Sequence, residues 1–557
     1  WHKAVKVLPD FSIVHKQDFF IEEKYQPEID RDELSFLSRS FERHFNERPF
    51  LNHFCYLFLT KTTKMRSRQE STFSTLCKDK IIPKEIEDKE TVTKFLEAVG
   101  QFERIMNDSG FITLRRLRAD EIVGTETTAG IVEKYFSLSQ NDTTVLKDIS
   151  LNPEEMRIGD DFLCLHTLSD AEDLPGNVGT DSRYERLSTD RSDCRLSFAA
   201  PVGVLLTCNH VYNQYIFIDH AESLKRFEQT ARNMQSLSRY SRSNQINRAW
   251  IEEYLNEAHS KGLVSVRCHC NVMAWSDDRE ELKHIKNDVG SQLALMECKP
   301  RHNTVDVPTL FWAGIPGNEG DFPFEESFYT FIPQALCFFT EETNYKSSLS
   351  PFGIKMVDRV TGRPLHLDIS DLPMKKGVIT NRNKFILGPS GSGKSFFMNH
   401  LVRQYYEQNS HIVLVDTGNS YQGLCEMIHR KTKGADGIYY TYSEEKPISF
   451  NPFYTEDYKF NVEKKDSIKT LLLTLWKSED DKITKTESGE LGSAVSAYIK
   501  KIQQDRSIVP CFDTFYEYML NDYRAELEKR DIKVSRDDFN IDNFLTTLRQ
   551  YYKGGRF

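Results

Sequence analysis

The sequence predicts an α/β protein in two parts, an N-terminal α/β region over residues 1–345 and a C-terminal domain over 346–557. Three observations support this division. A glycine-rich loop near residue 390 lies between an apolar strand and an apolar-periodic helix. Strand–helix–strand patterns recur near 54–117 and 264–340, which predicts two related α/β units in the N-terminal region, with a subdivision near 150–200. A chain of 557 residues is also too long for one hydrophobic core.

The glycine-rich loop is a full match to the phosphate-binding pattern G-x-x-x-x-G-K-[ST], also called Walker A. It extends from Gly388 to Ser395 and reads GPSGSGKS. The apolar stretch Lys384–Leu387 precedes it as a predicted strand, and Phe396–Tyr406 follows as a predicted helix. Strand, loop and helix in this order are the context that a phosphate-binding loop requires, so a plain surface turn is the disfavoured alternative.

The residue types in this loop indicate how it would bind ATP and Mg²⁺. Gly391 and Gly393 allow the backbone to approach a phosphate, and successive amides at a helix N-terminus attract its charge. Lys394 is the predicted catalytic residue, because its ammonium reaches the β- and γ-phosphates, and the Ser395 hydroxyl is the predicted Mg²⁺ ligand. The predicted nucleotide-binding residues are Gly388, Pro389, Ser390, Gly391, Ser392, Gly393, Lys394, Ser395 and Phe396.

A second acidic position follows the loop helix. The apolar run Ile412–Val415 ends at Asp416, only 22 residues after Lys394. This spacing allows one helix and a return strand, whereas the acid that organises Mg²⁺ comes later in most P-loop folds. Two roles therefore remain open for Asp416: indirect support of Mg²⁺ at the end of a parallel strand, or capping of that strand. Residues 437–442 predict a further strand, and helices are predicted at 462–477, 488–504, 513–529 and 541–552.

The N-terminal region alternates predicted strands and helices. Helices are predicted at 89–106, 119–138, 221–259 and 277–296, and strands at 4–8, 11–15, 54–60, 111–117 and 264–273, with hairpins at 195–219 and 352–367. The basic residues within 221–259 are interpreted as a solvated helical face rather than a binding stripe. In the strand 264–273, alternation places Cys268 and Cys270 on one face and His269 on the other, which favours core cysteines over a zinc site.

Composition excludes several classes of protein. The net charge of −10 argues against a chain that coats nucleic acid by bulk charge. The 11 cysteines show no disulfide framework, which indicates a reducing compartment. No apolar run approaches the roughly 20 residues that span a bilayer.

Three segments of the C-terminal domain read KFILGPSGSGKSFF, HIVLVDTGNSYQGL and ISFNPF. They resemble the ATPases of conjugative type IV secretion systems, in particular the TraG-type conjugative transposon ATPase of Bacteroidetes. VLPDFSIVHKQDFFIEEKY, PFEESFYTFIPQALCFFTEETNYKSS and DLPMKKGVITNRNKF extend the resemblance over essentially the whole chain.

The resemblance implies a RecA-like P-loop ATPase domain behind an N-terminal region that docks on the secretion channel. It also implies a hexamer on the cytoplasmic face of the bacterial inner membrane, with inner-membrane channel components as partners and possible contact with DNA or the relaxosome. The family's phosphate-loop roles transfer to the matching residues Gly388, Gly391, Gly393, Lys394 and Ser395. Its catalytic acid has no counterpart here, so we expect the natural protein to continue past Phe557, and the ATPase domain to be incomplete there before its Walker B segment.

The favoured hypothesis is a motor ATPase that hydrolyses ATP to energise conjugative transfer. The alternative is a structural scaffold of the inner-membrane complex that nucleotide orders without significant turnover. An ABC-type transporter ATPase is disfavoured, because no LSGGQ-like signature follows Lys394.

Overall fold

The chain forms two compact units, Trp1–Val413 and Leu414–Phe557. The computed structural model describes residues 1–25, 36–63, 88–143, 147–152, 154–190, 192–237, 241–443, 445, 449–478, 481–530, 535 and 538–555. The boundary that the sequence predicts at 345/346 stays a prediction.

The first unit is built on a nine-stranded antiparallel sheet of order β2-β1-β8-β9-β5-β4-β3, with β10 beside β5 and β11 beside β9. The strands of the chain are β1 (Ser12–Glu23), β2 (Phe50–Lys61), β3 (Ile149–Asn152), β4 (Glu155–Ile158), β5 (Asp161–Leu168), β6 (Asp181–Arg183), β7 (Arg195–Ser197), β8 (His210–Ile218), β9 (Ser265–Ser276), β10 (Arg301–His302), β11 (Phe328–Phe331), β12 (Ile354–Val357) and β13 (Pro364–Leu367). The pairs β6/β7 and β12/β13 form separate two-stranded sheets.

Helices cover this sheet and build most of the second unit. In the first unit they are α1 (His2–Val5), α2 (Phe36–Asn46), α3 (Lys89–Asp108), α4 (Ala119–Val123), α5 (Ile131–Ser137), α6 (His220–Leu237), α7 (Arg242–Lys261), α8 (Arg279–Leu295), α9 (Val307–Ala313), α10 (Ile332–Leu336), α11 (Asp371–Lys375) and α12 (Lys394–Glu407). In the second unit they are α13 (Gln422–Lys431), α14 (Val462–Trp476), α15 (Lys485–Gln504), α16 (Phe512–Tyr518), α17 (Arg524–Lys529) and α18 (Ile541–Leu548), with one π-helical turn at Met519–Tyr523.

Both faces of the large sheet are buried at its centre. Every residue of β8 and β9 is buried, because helices pack on either side. Cys268 and Cys270 of β9 share one apolar cluster with Val289 of α8, and Trp275 belongs to a second cluster with Phe311 of α9. The predicted alternation in β9 is therefore confirmed, and the two cysteines are core residues.

The N-terminal region differs from the prediction where a strand needed a distant partner. Residues 111–117 form no strand, and residues 203–208 form turns rather than the first arm of a hairpin. Instead, β1 pairs with β2 on one side and with β8 on the other, so the sheet is continuous rather than divided between two strand–helix–strand units. The predicted strand at 4–8 is also wrong, because α1 occupies His2–Val5.

The glycine-loop region keeps its predicted helix and loses its predicted strands. Helix α12 follows the loop, and the hairpin β12/β13 precedes it as predicted. Residues 384–387, 412–415 and 437–442 form no strand, although all three are apolar enough to belong to one. Leu387 is 84% exposed and Val415 is 98% exposed. A strand requires a hydrogen-bonded neighbour, and no other described strand pairs with these segments.

The second unit is a helical cluster. Its core contains Leu472 of α14, Tyr498 of α15, Phe515 of α16 and Phe544 of α18. These helices were predicted from apolar periodicity, and their existence is confirmed. Among the described residues of the whole chain, none of the helices has both the length and the apolar character to cross a bilayer.

Candidate nucleotide-binding site

The loop Gly388–Gly393 adopts a backbone that its glycines make possible. Gly391 has φ +79° and Gly393 has φ +90°, values that residues with a Cβ rarely adopt. At Gly388 a side chain would clash with the Ser392 hydroxyl. The sequence pattern therefore places glycine where the backbone turns or where chain segments approach closely.

Lys394 folds back over this loop. Its Nζ donates hydrogen bonds to the carbonyl oxygens of Gly388 at 2.6 Å and Pro389 at 2.9 Å. The Ser392 amide donates to Pro389 O at 3.3 Å. The ammonium thus lies against the loop that it is predicted to complete, and two loop carbonyls hold it there.

Helix α12 presents its N-terminal amides directly after the loop. Its first turn closes with the Phe397 amide donating to Gly393 O at 2.9 Å, so the amides of Lys394, Ser395 and Phe396 precede the first intrahelical bond. With the helix dipole, these amides favour an anion at this end. Lys394, the free amides and the Ser395 hydroxyl are a donor set that fits a nucleotide phosphate with Mg²⁺.

The predicted site residues lie in both units. Residues 388–396 form one continuous loop and helix start in the first unit, with the Phe396 side chain 83% exposed. Asp416 belongs to the second unit, where Oδ1 accepts from the Gly418 amide at 3.1 Å and Oδ2 from the Ser420 amide at 2.6 Å. Its carboxylate therefore caps the turn that leads into α13.

Side chains that sequence reasoning missed fasten α12 to the preceding hairpin. Gln404 accepts from the Lys355 amide at 2.5 Å and donates to Lys355 O at 3.2 Å, while Gln408 does the same with Gly353 at 2.9 and 2.5 Å. His400 also contacts Lys355 O, at 2.8 Å. Each glutamine amide therefore bonds to both backbone groups of one residue, as a neighbouring β-strand would. The sequence feature that could have predicted these contacts is the polar residues at positions 400, 404 and 408, spaced one helical turn apart.

The segment before the loop is fastened in a similar way. The Lys384 ammonium donates to Ser370 Oγ at 2.7 Å, and this hydroxyl lies 3.3 Å from Tyr405 Oη on α12. Burial tends to raise the pKa of Asp368, but the amides of Ser370, Leu372 and Asp371 donate to its carboxylate and hold the pKa below its usual value. Asp368 therefore stays ionised and orders the turn that carries Ser370.

The cysteine–histidine strand offers no metal site. His269 contacts the carbonyl of Glu326 at 2.7 Å on the face opposite Cys268 and Cys270. Within the described ranges, no group of three or more His, Cys, Asp or Glu side chains is arranged to hold a metal ion.

Comparison with known proteins agrees with the geometry of the loop. Residues 353–557 match the family model of the TraG P-loop domain. The match begins at the hairpin β12/β13 and includes the loop, α12 and the helical cluster. None of the curated proteins compared with the chain matches it.

Proposed function

We propose that this chain binds MgATP and is a motor ATPase of a conjugative type IV secretion system. Its residues 353–557 match the TraG P-loop domain, which supports a TraG-type conjugative ATPase. The observation that carries the proposal is the loop 388–396, with positive φ at Gly391 and Gly393 and the Lys394 ammonium lying against it. We further propose that the protein hydrolyses ATP to ADP and phosphate, that its P-loop domain is RecA-like, and that it forms a hexamer.

The proposed chemistry assigns one task to each group. The loop and helix amides bind the β- and γ-phosphates, and Lys394 stabilises the charge that develops on the transferred phosphoryl group. Ser395 holds Mg²⁺, which neutralises phosphate charge when bound. Asp416 is the weakest assignment, because its oxygens already accept two backbone amides.

The proposed setting follows the TraG resemblance. We place the protein on the cytoplasmic face of the inner membrane, with channel components as partners and with DNA or protein as cargo. The N-terminal region 1–345 would dock on the channel, while the P-loop domain would supply the energy. The central strands β8 and β9, buried on both faces, support a docking platform rather than a second catalytic site.

The decisive experiment measures MgATP binding and phosphate release by the protein. Lys394→Ala is expected to lower turnover by about 100-fold or more, because it removes a charge that acts on the transition state. Lys376→Ala, at an exposed lysine of the same domain, is the matched control and should leave both measurements unchanged.

Two outcomes would change the conclusion. If the protein binds MgATP but shows no turnover even when assembled with its partners, the structural scaffold replaces the motor. If MgATP does not bind to the protein, or binds equally well to Lys394→Ala and Lys376→Ala, the loop is not the nucleotide site.

A further inference from the structure

Helices α6 and α7 form an antiparallel hairpin whose base is fixed to the large sheet. The Phe227 ring packs on Tyr254 and on Tyr329, with both centroid distances 4.8 Å, and Tyr254 stacks on Phe331 at 4.4 Å. Tyr254 Oη also lies 2.8 Å from Ser265 Oγ of β9. The base of the hairpin is therefore part of the folded unit and has a defined position on it.

The opposite end of this hairpin projects from the unit. We call residues 230–237 and 241–250 the hairpin tip. None of the side chains described at 230–236 and 241–250 is buried, in contrast to those of the strands below. Residues 230–237 alone extend a helix by roughly 12 Å. The hairpin tip is thus a convex surface, not a groove.

The hairpin tip carries positive charge on a protein that is negative overall. Its basic residues include Arg232, Arg242 and Arg248, and the sequence from 229 to 251 contains no Asp or Glu. Arg248 pairs with Glu252, just beyond the tip, at 2.7 Å, so Arg232 and Arg242 carry most of the charge argument. The net charge of the whole chain is −10. Arg232 has an 81% exposed side chain and lies 3.9 Å from Glu228, a distance at which an exposed ion pair contributes little.

Apolar side chains lie beside this charge. Trp250 is 65% exposed and Ile246 is 42% exposed. Arg242, Ile246 and Trp250 follow one another at intervals of four residues, so they share one stripe of α7. Exposed tryptophan and isoleucine next to arginine form the pattern that binds the interface of an anionic bilayer.

We propose that the hairpin tip binds the surface of an anionic lipid membrane, with Ile246 and Trp250 entering the headgroup region and the arginines contacting lipid phosphates. The charge of the tip is complementary to anionic headgroups, and its convex shape suits a planar surface. Single-stranded nucleic acid would instead need a basic groove with stacking faces, and Ile246 offers none. The inference rests on the proposed location at the membrane but on no step of nucleotide binding or turnover.

The test is vesicle flotation of the chain without nucleotide. Vesicles of phosphatidylglycerol and phosphatidylcholine should carry the protein upward, whereas phosphatidylcholine vesicles should not, and 0.5 M salt should weaken the binding. Brominated lipid should quench the fluorescence of Trp250 and leave the signal of a Trp250→Phe variant unchanged.

Variants at exposed positions separate the surface from the fold. Arg232→Glu with Arg242→Glu, and Ile246→Ser with Trp250→Ser, should each weaken lipid binding by about tenfold or more. Arg116→Glu with Arg118→Glu, an equal charge reversal at exposed arginines elsewhere, should leave binding intact. Circular dichroism should be the same for all variants.

Two results would overturn the proposal. The first is equal lipid binding by the tip variants and the control pair. The second is that the tip variants bind lipid as the unmodified chain does but no longer bind a single-stranded oligonucleotide. Lys394→Ala should float as the unmodified chain does. A failure of the lipid inference is thereby distinguished from a failure of the nucleotide proposal.

Discussion

Gly393 shows how one residue type controls the candidate site. Its φ of +90° places it in the left-handed region directly before α12. No atom lies within 4 Å of the position that a Cβ would occupy, so a substitution would meet open space. The requirement for glycine is therefore conformational rather than steric, in contrast to Gly388, where a Cβ would meet the Ser392 hydroxyl and require it to shift.

We predict that Gly393→Ala weakens nucleotide binding roughly tenfold, because an alanine in this conformation costs about 1–2 kcal/mol. Titration with a fluorescent ATP analogue measures the effect. The matched control is Gly100→Ala in α3, where a Cβ also meets open space but φ is ordinary; it should raise helix stability by about 0.5–1 kcal/mol. Unchanged affinity in Gly393→Ala would show that the loop changes conformation before it binds.

Helix α12 is held in place by polar side chains rather than by an apolar stripe alone. Gln404 and Gln408 pair with the backbone of β12 and the residue before it, as a neighbouring strand would. The helix that begins at the phosphate loop is therefore fastened to the hairpin at its far end. This arrangement keeps the N-terminal amides of α12 at a fixed position relative to the hairpin.

At this element, Gln404→Ala is predicted to destabilise the first unit by about 1–3 kcal/mol, because the backbone amide of the half-buried Lys355 loses its Gln404 acceptor while the Lys355 carbonyl keeps His400. Chemical denaturation of variant and unmodified chain measures the difference. Gln422→Ala, on an exposed face of α13, is the control and should stay within about 0.5 kcal/mol. A Gln404→Ala variant as stable as the control would mean that water replaces the lost bonds.

The large sheet buries several ionisable side chains. Burial tends to raise the pKa of Asp18, but the Lys16 ammonium and the His53 imidazole, 2.9 Å away, hold this pKa well below its usual range. Burial also lowers the pKa of His166 and of His210 to about 4, and that of His269 to about 3. Asp18 stays ionised and these three histidines stay neutral in the folded protein.

The whole molecule should therefore lose stability in mild acid. Between pH 6.5 and about 4 the unfolded chain binds protons at His166, His210 and His269 that the folded chain does not bind, so the free energy of unfolding falls as the pH falls. The slope is up to about 4 kcal/mol per pH unit for three protons. The slope from these histidines fades above pH 6.5 and is nearly absent about one pH unit higher, where the unfolded chain no longer binds these protons.

Urea denaturation of the chain at several pH values checks this prediction. His210→Phe, which keeps the ring that stacks on Phe20 at 4.6 Å, should reduce the slope by about one proton. His284→Gln, at an exposed position of α8, should leave it unchanged. A stability that is level from pH 7 to pH 4.5 would show that water reaches these histidines in the folded state.

Local patterns in the sequence were sufficient for many elements. Helices α3, α8, α12, α14 and α15, the hairpin β12/β13 and the alternation of Cys268, His269 and Cys270 follow from hydrophobic periodicity and turn residues. The glycine loop and its helix were also evident, since the pattern specifies both backbone and chemistry. Prediction failed at 111–117 and at the apolar stretches 384–387 and 412–415, where β-type composition exists without a described partner strand.

The sequence by itself determined the phosphate-binding loop, the helix that follows it and the match of residues 353–557 to the family model of the TraG P-loop domain. These depend on residues close together in the chain, through local backbone geometry and hydrogen bonds between neighbouring turns. Only the tertiary structure decided that β1 lies between β2 and β8, that Gln404 pairs with Lys355, and that a basic hairpin tip with Trp250 projects from the unit. Such contacts join distant segments, and which of many compatible strands or faces meet is settled by packing of the whole unit.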